Sequence, residues 1–239
     1  MFSESADYYD LIYGRFKDYR AESERLAEMI RDRVPGAKTI LDVACGTGEH
    51  ARHLRELGFT VDGVDVEPRF VELARRKNPS GRVFCQDMAD LDLEDSYDAV
   101  ISLFSSIGYL RTEERLRTAI ERMAYHAVEG GLVVVEPWFG PGEMEDGYVA
   151  MHTAEDAEVK VCRMSRTTIE AEISRLEFEY LIGRRGGLER RSEVHELGLF
   201  SRAEMERAFH DAGLEVDYDP EGLFGRGLYL GRKDAHRDR

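Results

Sequence analysis

The sequence predicts an α/β fold: a doubly wound parallel sheet with an antiparallel β-sheet inserted into its second half. Three observations predict it. Between residues 39 and 138, valine- and isoleucine-rich runs alternate with segments whose apolar residues recur at helical spacing, the mark of a parallel sheet covered on both faces. From about residue 148 to 200 that rhythm gives way to long stretches of period-2 character. After Ser201 the helix–strand alternation resumes, so the antiparallel block reads as an insertion within a single domain, 1–239.

Leu26, Met29, Ile30 and Val34 fall at helical spacing, and Pro35-Gly36 stops that helix. TILDVAC (39–45) is the first strand. A helix from about Glu49 carries Ala51, Leu54 and Leu57 on one face, and FTVDGVD (59–65) is the second strand. Phe70, Val71 and Ala74 mark the next helix; RVFCQD (82–87) and YDAVISLF (97–104) are the third and fourth strands. A helix from Thr112 to about Ala127 is striped by Leu116, Ala119, Ile120 and Met123. Gly130-Gly131 is expected to end it before LVVVEPW (132–138), the fifth strand. The loop FGPGEMEDG (139–147) leads to EVKVCRMS, TIEAEIS, RLEFEYLI and ERRSEVHELGLF, read as antiparallel strands joined by turns such as Gly186-Gly187. Their parity slips between Ile173 and Leu176, which predicts a bulge or bend near Ser174–Arg175. Ser201 and Glu204 match the capping box of a helix carrying Met205 and Phe209. Gly213 is placed to end it, and 214–219 and 225–233 are the last two strands.

The formal net charge is −15. So acidic a chain repels polyanions, which argues against a nucleic-acid partner. A small anionic ligand is still compatible, because salt screens the distant field within about 10 Å and a few local arginines outweigh it. No apolar run approaches the ~20 residues that span a bilayer, and MFSESADYYD lacks a basic-then-apolar leader pattern. A cytoplasmic protein with no membrane partner is expected. Cys45, Cys85 and Cys162 are too few and too scattered for a disulfide framework or a zinc site. His50 and His53 lie one helical turn apart with no third ligand in view; they read as surface or helix-start residues, and no metal is expected.

ILDVACGTG (40–48) places Asp42 inside an apolar strand and then strips the side chains away at Gly46 and Gly48. A glycine turn after the first strand of a doubly wound sheet lets a ligand approach the backbone closely. A dinucleotide fingerprint sets a third glycine further on, with a pyrophosphate on the helix N-terminus. No third glycine follows here at that spacing, and Asp42 would repel a pyrophosphate. A carboxylate suits a cation, and S-adenosylmethionine carries a sulfonium and an α-ammonium group. Asp65, ending the second strand about 20 residues past the glycine turn, is placed to accept from ribose hydroxyls. Asp87, ending the third, is placed to accept from an adenine amino group, with Met88 over the ring face.

DVACGTG, GVDVE, QDM and GGLVVVEPW resemble the successive motifs of class I S-adenosylmethionine-dependent methyltransferases, which implies a Rossmann-like sheet. YDLIYGRFKDYRAES (9–23), FSSIGYL (104–110), VVVEPWFGP (133–141) and GRGLY (225–229) resemble a narrower group, the nucleotide-sugar N,N-dimethyltransferases that make desosamine and mycaminose. The resemblance implies methylation of a dTDP-linked 3-amino-3,6-dideoxyhexose, and a homodimer paired through the insertion, 148–200. It implies too that residues 1–38 form a helical cap over the cofactor, from which Tyr13 and Tyr19 bind its carboxylate or orient the amine. Ala44, Val66 and Phe104 join the glycines and acids above as expected cofactor contacts. Tyr109 is the expected amine-orienting group or proton acceptor, so Tyr13 and Tyr109 are the catalytic candidates. Ser105, Ser106, Trp138 and Tyr148 are expected at the sugar. Arg226, between glycines, is expected to grip the diphosphate, with Arg175 a weaker candidate of the same kind. A different small-molecule acceptor, a non-catalytic S-adenosylmethionine sensor and a nicotinamide oxidoreductase are the alternatives.

Overall fold

Ile40 and Leu41 are neighbours on one strand, β1 (Thr39–Val43), point to opposite faces, and are both fully buried. A strand with that pattern needs cover on two sides, and each such side chain contributes about 1.5–3 kcal/mol when taken from water. The computed structural model describes residues 5–223 and 225–234. The first four residues of the acidic N-terminal stretch and of the expected cap lie outside the described residues.

β1 pairs in parallel with β2 (Thr60–Asp65) and β4 (Tyr97–Ser102). β3 (Val83–Cys85) extends the sheet beyond β2, and β5 (Ala127–Val135) extends it beyond β4. β11 (Leu228–Lys233) joins β5 antiparallel, and β10 (Leu214–Asp219) joins β11. The seven-stranded order is β10-β11-β5-β4-β1-β2-β3. On one face, α2 (Tyr19–Arg33) and α3 (Glu49–Glu56) lay Leu26, Ile30, Ala51 and Leu54 against Ile40, Val61, Ile101 and Val134. On the other, α5 (Glu113–His126) and α6 (Arg202–Asp211) lay Leu116, Ile120, Met205 and Phe209 against Leu41, Val43, Val100 and Val133. Ser201 and Glu204 do form a capping box at α6. The strand order reverses between β1 and β4, which opens a crevice at their carboxyl ends.

The insertion is a four-stranded antiparallel sheet of β6 (Val149–Glu155), β7 (Val159–Glu170), β8 (Ile173–Arg184) and β9 (Gly187–Gly198). The short helix α1 (Tyr9–Tyr13) is wedged between the two sheets. Tyr8 and Ile12 pack on Phe178, Tyr180 and Ile182 of the insertion, while Tyr9 and Tyr13 pack on Phe70 of α4 (Pro68–Lys77).

Several expectations need correction. TIEAEIS is not a strand of its own; it holds the end of β7, the turn Ala171-Glu172 with Ala171 at φ +54°, and the start of β8. No bulge occurs at Ser174–Arg175, because β8 pairs in unbroken register on both sides. The parity slips because Ser174, in phase with Leu176, Phe178 and Tyr180, takes the buried position while Ile173 is only partly buried. Gly130-Gly131 lies inside β5 rather than before it, since the chain turns extended directly at Ala127. The register shift between Tyr97 and Ala99 accommodates the extra residues. β6, which the sequence reading left without a strand of its own, forms one edge of the insertion. His50 and His53 are buried and not surface residues, while the helix-start reading holds for His50, the second residue of α3.

Candidate active site

Two adjoining cavities open at the carboxyl ends of β1, β2 and β4. The first is lined by Asp42, Ala44 and Gly46 from the end of β1 and its turn, Asp65 and Val66 from β2, Asp87 and Met88 after β3, and Tyr19 from α2. The second lies between the seven-stranded sheet and the insertion, and is lined by Tyr13, Ser105, Trp138, Tyr148 and Arg226 among others. Tyr9, Phe104, Ser106 and Tyr109 line both.

Local backbone geometry concentrates here. Ala44, Phe104 and Ser105 hold positive φ of 60°, 54° and 63°, a region that costs a non-glycine residue about 1–3 kcal/mol and clusters at functional sites. Hydrogen bonds hold the strained turn after β4. Glu136 Oε2 accepts from the Phe104 N–H at 2.6 Å, and Ser105 Oγ donates to the Pro137 carbonyl at 2.7 Å. Gly46 (φ +55°) donates its N–H to Asp65 Oδ2 at 2.8 Å, and the Glu67 N–H donates to Asp65 Oδ1 at 2.8 Å.

The acids differ in electrostatics. Burial, and secondarily the nearby Asp65 charge, push Asp42 up to about 8. Its Oδ2 is buried with no hydrogen-bond partner among the described residues. Such an atom costs free energy until something polar reaches it. Burial raises Asp65 to about 6 against the lowering effect of the Glu67 and Gly46 N–H groups. Asp87 accepts from Ala89 N–H and, through both oxygens at 2.8 and 2.9 Å, from Arg115. Beside these acids, burial holds the Cys45 thiol far above its usual value, so it is a packing group.

Two expected cofactor contacts sit elsewhere. Gly48 does not line the first cavity. It caps α3 at φ +80°, where a Cβ would come within 2.5 Å of Asn78 Nδ2 and 3.1 Å of the Ala74 Cβ. Tyr13 faces the second cavity only, accepting from Arg163 Nη1 at 2.9 Å. Among the substrate candidates, Arg175 is paired with Glu177 at 2.7 Å and lines neither cavity. The other six do reach the cavities. Arg226 donates to Ser105 Oγ at 2.9 Å and stacks over the Trp138 and Phe139 rings at 5.2 and 5.4 Å. Trp138 Nε1 donates to Ser174 Oγ at 2.8 Å, which fastens the end of β5 to the insertion.

Residues the sequence reading missed include Arg115, Arg163, His195 and a buried trio of which His50 lines the first cavity. In that trio Lys17 Nζ lies 2.5 Å, and His50 Nε2 2.9 Å, from Glu22 Oε2. Burial would raise Glu22, but the His50 and Lys17 contacts outweigh it and hold it low.

A family described as "Methyltransferase domain" matches residues 40–131. The chain is 43% identical over 97% of its length, and 92% of the relative's, to the dTDP-3-amino-3,6-dideoxy-α-D-glucopyranose N,N-dimethyltransferase of Streptomyces fradiae. It is 41% identical over 95% of its length, and 97% of the relative's, to the dTDP-3-amino-3,4,6-trideoxy-α-D-glucopyranose N,N-dimethyltransferase of Streptomyces venezuelae. Its fold matches the crystal structure of Streptomyces venezuelae DesVI with a TM-score of 0.91 at 40% identity, covering 96% of this chain and 98% of that one.

Proposed function

Since the chain belongs to the S-adenosylmethionine-dependent N,N-dimethyltransferases of dTDP-amino sugars, we propose that its first cavity holds the methyl donor and its second the amino deoxyhexose nucleotide. The observation that carries this arrangement is the shared wall: Tyr9, Phe104, Ser106 and Tyr109 border both cavities, so two ligands meet there. The unpartnered, buried Asp42 Oδ2 fits a ligand that brings positive charge. When bound, S-adenosylmethionine supplies a methyl already activated on its sulfonium sulfur.

What remains for the protein is placement, and well-oriented reactants gain up to about 7–11 kcal/mol from it. Asp65 accepts from the ribose hydroxyls, Asp87 from the adenine amino group, and Met88 covers the ring. Asp42 balances the cationic end, and Gly46 keeps the backbone clear beside it. Residues 5–18 and the start of α2 form the cap, from which Tyr19 faces the donor and Tyr13 the acceptor; the rest of α2 belongs to the helix layer on the sheet. Arg226 takes the diphosphate, with Trp138 and Tyr148 along the sugar and its nucleotide. Tyr109 orients the amine. Arg163, also in the second cavity and 4% exposed, is a second cation for the acceptor's phosphates or for Tyr13. The antiparallel block, 148–200, is the acceptor half of the site.

The outer face of that block exposes Met151 (63%), Leu181 (50%) and Leu188 (77%). This face pairs with a second copy, giving a homodimer; light scattering of wild type and Leu181→Glu separates dimer from monomer. Both ligands are soluble and nucleotide-like, consistent with work in the cytoplasm. The function is tested by mass spectrometry with dTDP-3-amino-3,6-dideoxyhexose and cofactor. Products heavier by one and then two methyl groups are expected; no mass gain on this or the 4-amino isomer overturns the reading. Calorimetric titration with S-adenosylhomocysteine and with NADH excludes or admits the oxidoreductase alternative.

A further inference from the structure

Glu193 and His195 are two residues apart on β9 and share its inner face, where they are 7% and 2% exposed. Titratable side chains so deeply buried need partners. His195 Nε2 lies 3.2 Å from Glu193 Oε2, and His195 Nδ1 lies 2.7 Å from Tyr109 Oη. A carboxylate only accepts, so in the neutral ring Nε2 carries the proton and Nδ1 is the acceptor. Tyr109 therefore donates to His195 and presents oxygen lone pairs at the wall common to the two cavities.

We infer that Tyr109, His195 and Glu193 form a proton exit for the acceptor amine, with His195 and Glu193 acting through Tyr109 as positioning residues. This rests on the amino-sugar reading above. An alkylamine enters largely as an ammonium and cannot attack until a proton leaves. The ammonium N–H passes its proton to Tyr109 Oη while the Tyr109 O–H passes its own to His195 Nδ1. The nitrogen keeps its lone pair, the phenol is restored, and the imidazolium sits against the Glu193 carboxylate. The proton returns by the same route to water once product has left, and the secondary amine of the second round uses the path again.

Burial holds the Tyr109 phenol well above its ordinary value, so it relays as a hydroxyl and not as a phenolate. The other titratable groups facing it include Tyr9 and Tyr13 of α1, Tyr180 of β8 and Asp65 of β2. Arg163 of β7 stacks 4.9 Å over Phe178, whose ring packs 4.9 Å from that of His195. His152 of β6 lines the same cavity. Both relay residues come from the insertion, which makes that sheet part of the reacting centre as well as its wall.

The test compares wild type with His195→Gln and the isosteric Glu193→Gln, both checked for cofactor binding and thermal melting. For His195→Gln, kcat at pH 7 is expected to fall on the order of a hundredfold, the lower end for a general base. The KM for the nucleotide sugar should hold, and the deficit should close as pH rises and the amine sheds its proton unaided. Glu193→Gln should show a smaller deficit with the same recovery, and it carries the test if His195→Gln does not fold. Independently of turnover, nitrogen-15 NMR of the cofactor-free protein should find His195 as the Nε2–H tautomer. An equal loss at every pH, no loss, or an Nδ1–H tautomer overturns the relay. A wild type that leaves the amino sugar unmethylated sinks the amino-sugar reading and the relay together. Methylation by wild type with parallel variant profiles sinks the relay alone.

Discussion

Lowering the pH should loosen the methyl donor before it unfolds anything, because two buried acids of its cavity, Asp42 at the proposed cationic end and Asp65 at the proposed ribose, hold their protons to higher pH than usual. Asp42 sits at about 8 and Asp65 at about 6 in the free protein. If a cationic ligand draws both into the charged form, binding expels the protons they carry. Between pH 5.5 and 7 the ionised fraction of Asp42 rises about thirtyfold and that of Asp65 about fourfold, by the ordinary titration relation. Affinity should therefore rise about a hundredfold across that window, close to 3 kcal/mol at 1.36 kcal/mol per tenfold. The window stops at 7 because the donor's own α-amino group titrates near 7.7–8.0. The sign for stability is opposite. These folded values lie above the usual 3.8, so the native state keeps protons the unfolded chain has lost. The free protein thus loses stability as pH rises from about 4 through 6 to 8, and saturating donor, which holds both acids charged, should flatten that slope. Isothermal titration of S-adenosylmethionine in two buffers of different ionisation enthalpy reads both quantities. About one proton released near pH 6.5 is expected. A flat affinity with no release would refute the placement of the cationic end beside Asp42.

Three further outcomes follow from single contacts. Asp65→Ala should weaken cofactor binding by roughly 1–3 kcal/mol, the range for hydrogen bonds lost at a buried polar group; unchanged affinity by calorimetry rules out its ribose role. Arg226→Ala should raise the KM for the nucleotide sugar roughly ten- to a hundredfold, as for one charged hydrogen bond, while cofactor affinity holds; steady-state kinetics showing an unmoved KM would take Arg226 off the diphosphate. Gly48→Ala places a methyl against Asn78 and Ala74 at φ +80°. It should cost about 1–3 kcal/mol and appear as a lower melting temperature.

The alternating strands and helices were legible because both faces of the central sheet are covered. Ile40 and Leu41 are apolar together only if each faces a helix layer. The strand-end acids were legible for a related reason: a carboxylate has no business inside an apolar strand unless something meets it. Gly48 misled, because a glycine in a ligand-binding turn and a glycine that lets two helices approach look alike in sequence. Position 51 is alanine, which the third site of a dinucleotide fingerprint also accepts, so Asp42 separates the ligand classes better than the glycines do. Arg175 misled because charge alone does not say which face of a strand an arginine takes; its partner Glu177 lies two residues on. His195 and Glu193 went unread for the converse reason. A Glu-x-His pair in a period-2 strand is normally the wet face, and here it is the buried one.

That inversion follows from where the insertion stands. Near the tip, its inner face is an ordinary small core in which Phe178, Tyr180 and Ile182 meet Ile12. Beside them on the same face, Arg163 stands opposite Tyr180, Glu193 opposite Phe178 and His195 opposite Leu176, and Arg163, Thr167 and His195 wall the second cavity. The chain's net charge of −15 hides a local division of sign. Asp42, Glu49, Asp65 and Asp87 outnumber Arg115 around the first cavity, whereas Arg163 and Arg226 offset Glu143 and Glu145 around the second. In the proposed arrangement the cationic donor takes the more acidic cavity, and Arg163 and Arg226 meet the anionic acceptor. The wall they share is largely aromatic, Tyr9, Phe104 and Tyr109. In the proposed arrangement these rings would keep water from the point where a neutral amine meets the methyl group, and the hydroxyl of Tyr109 is the group there held against His195.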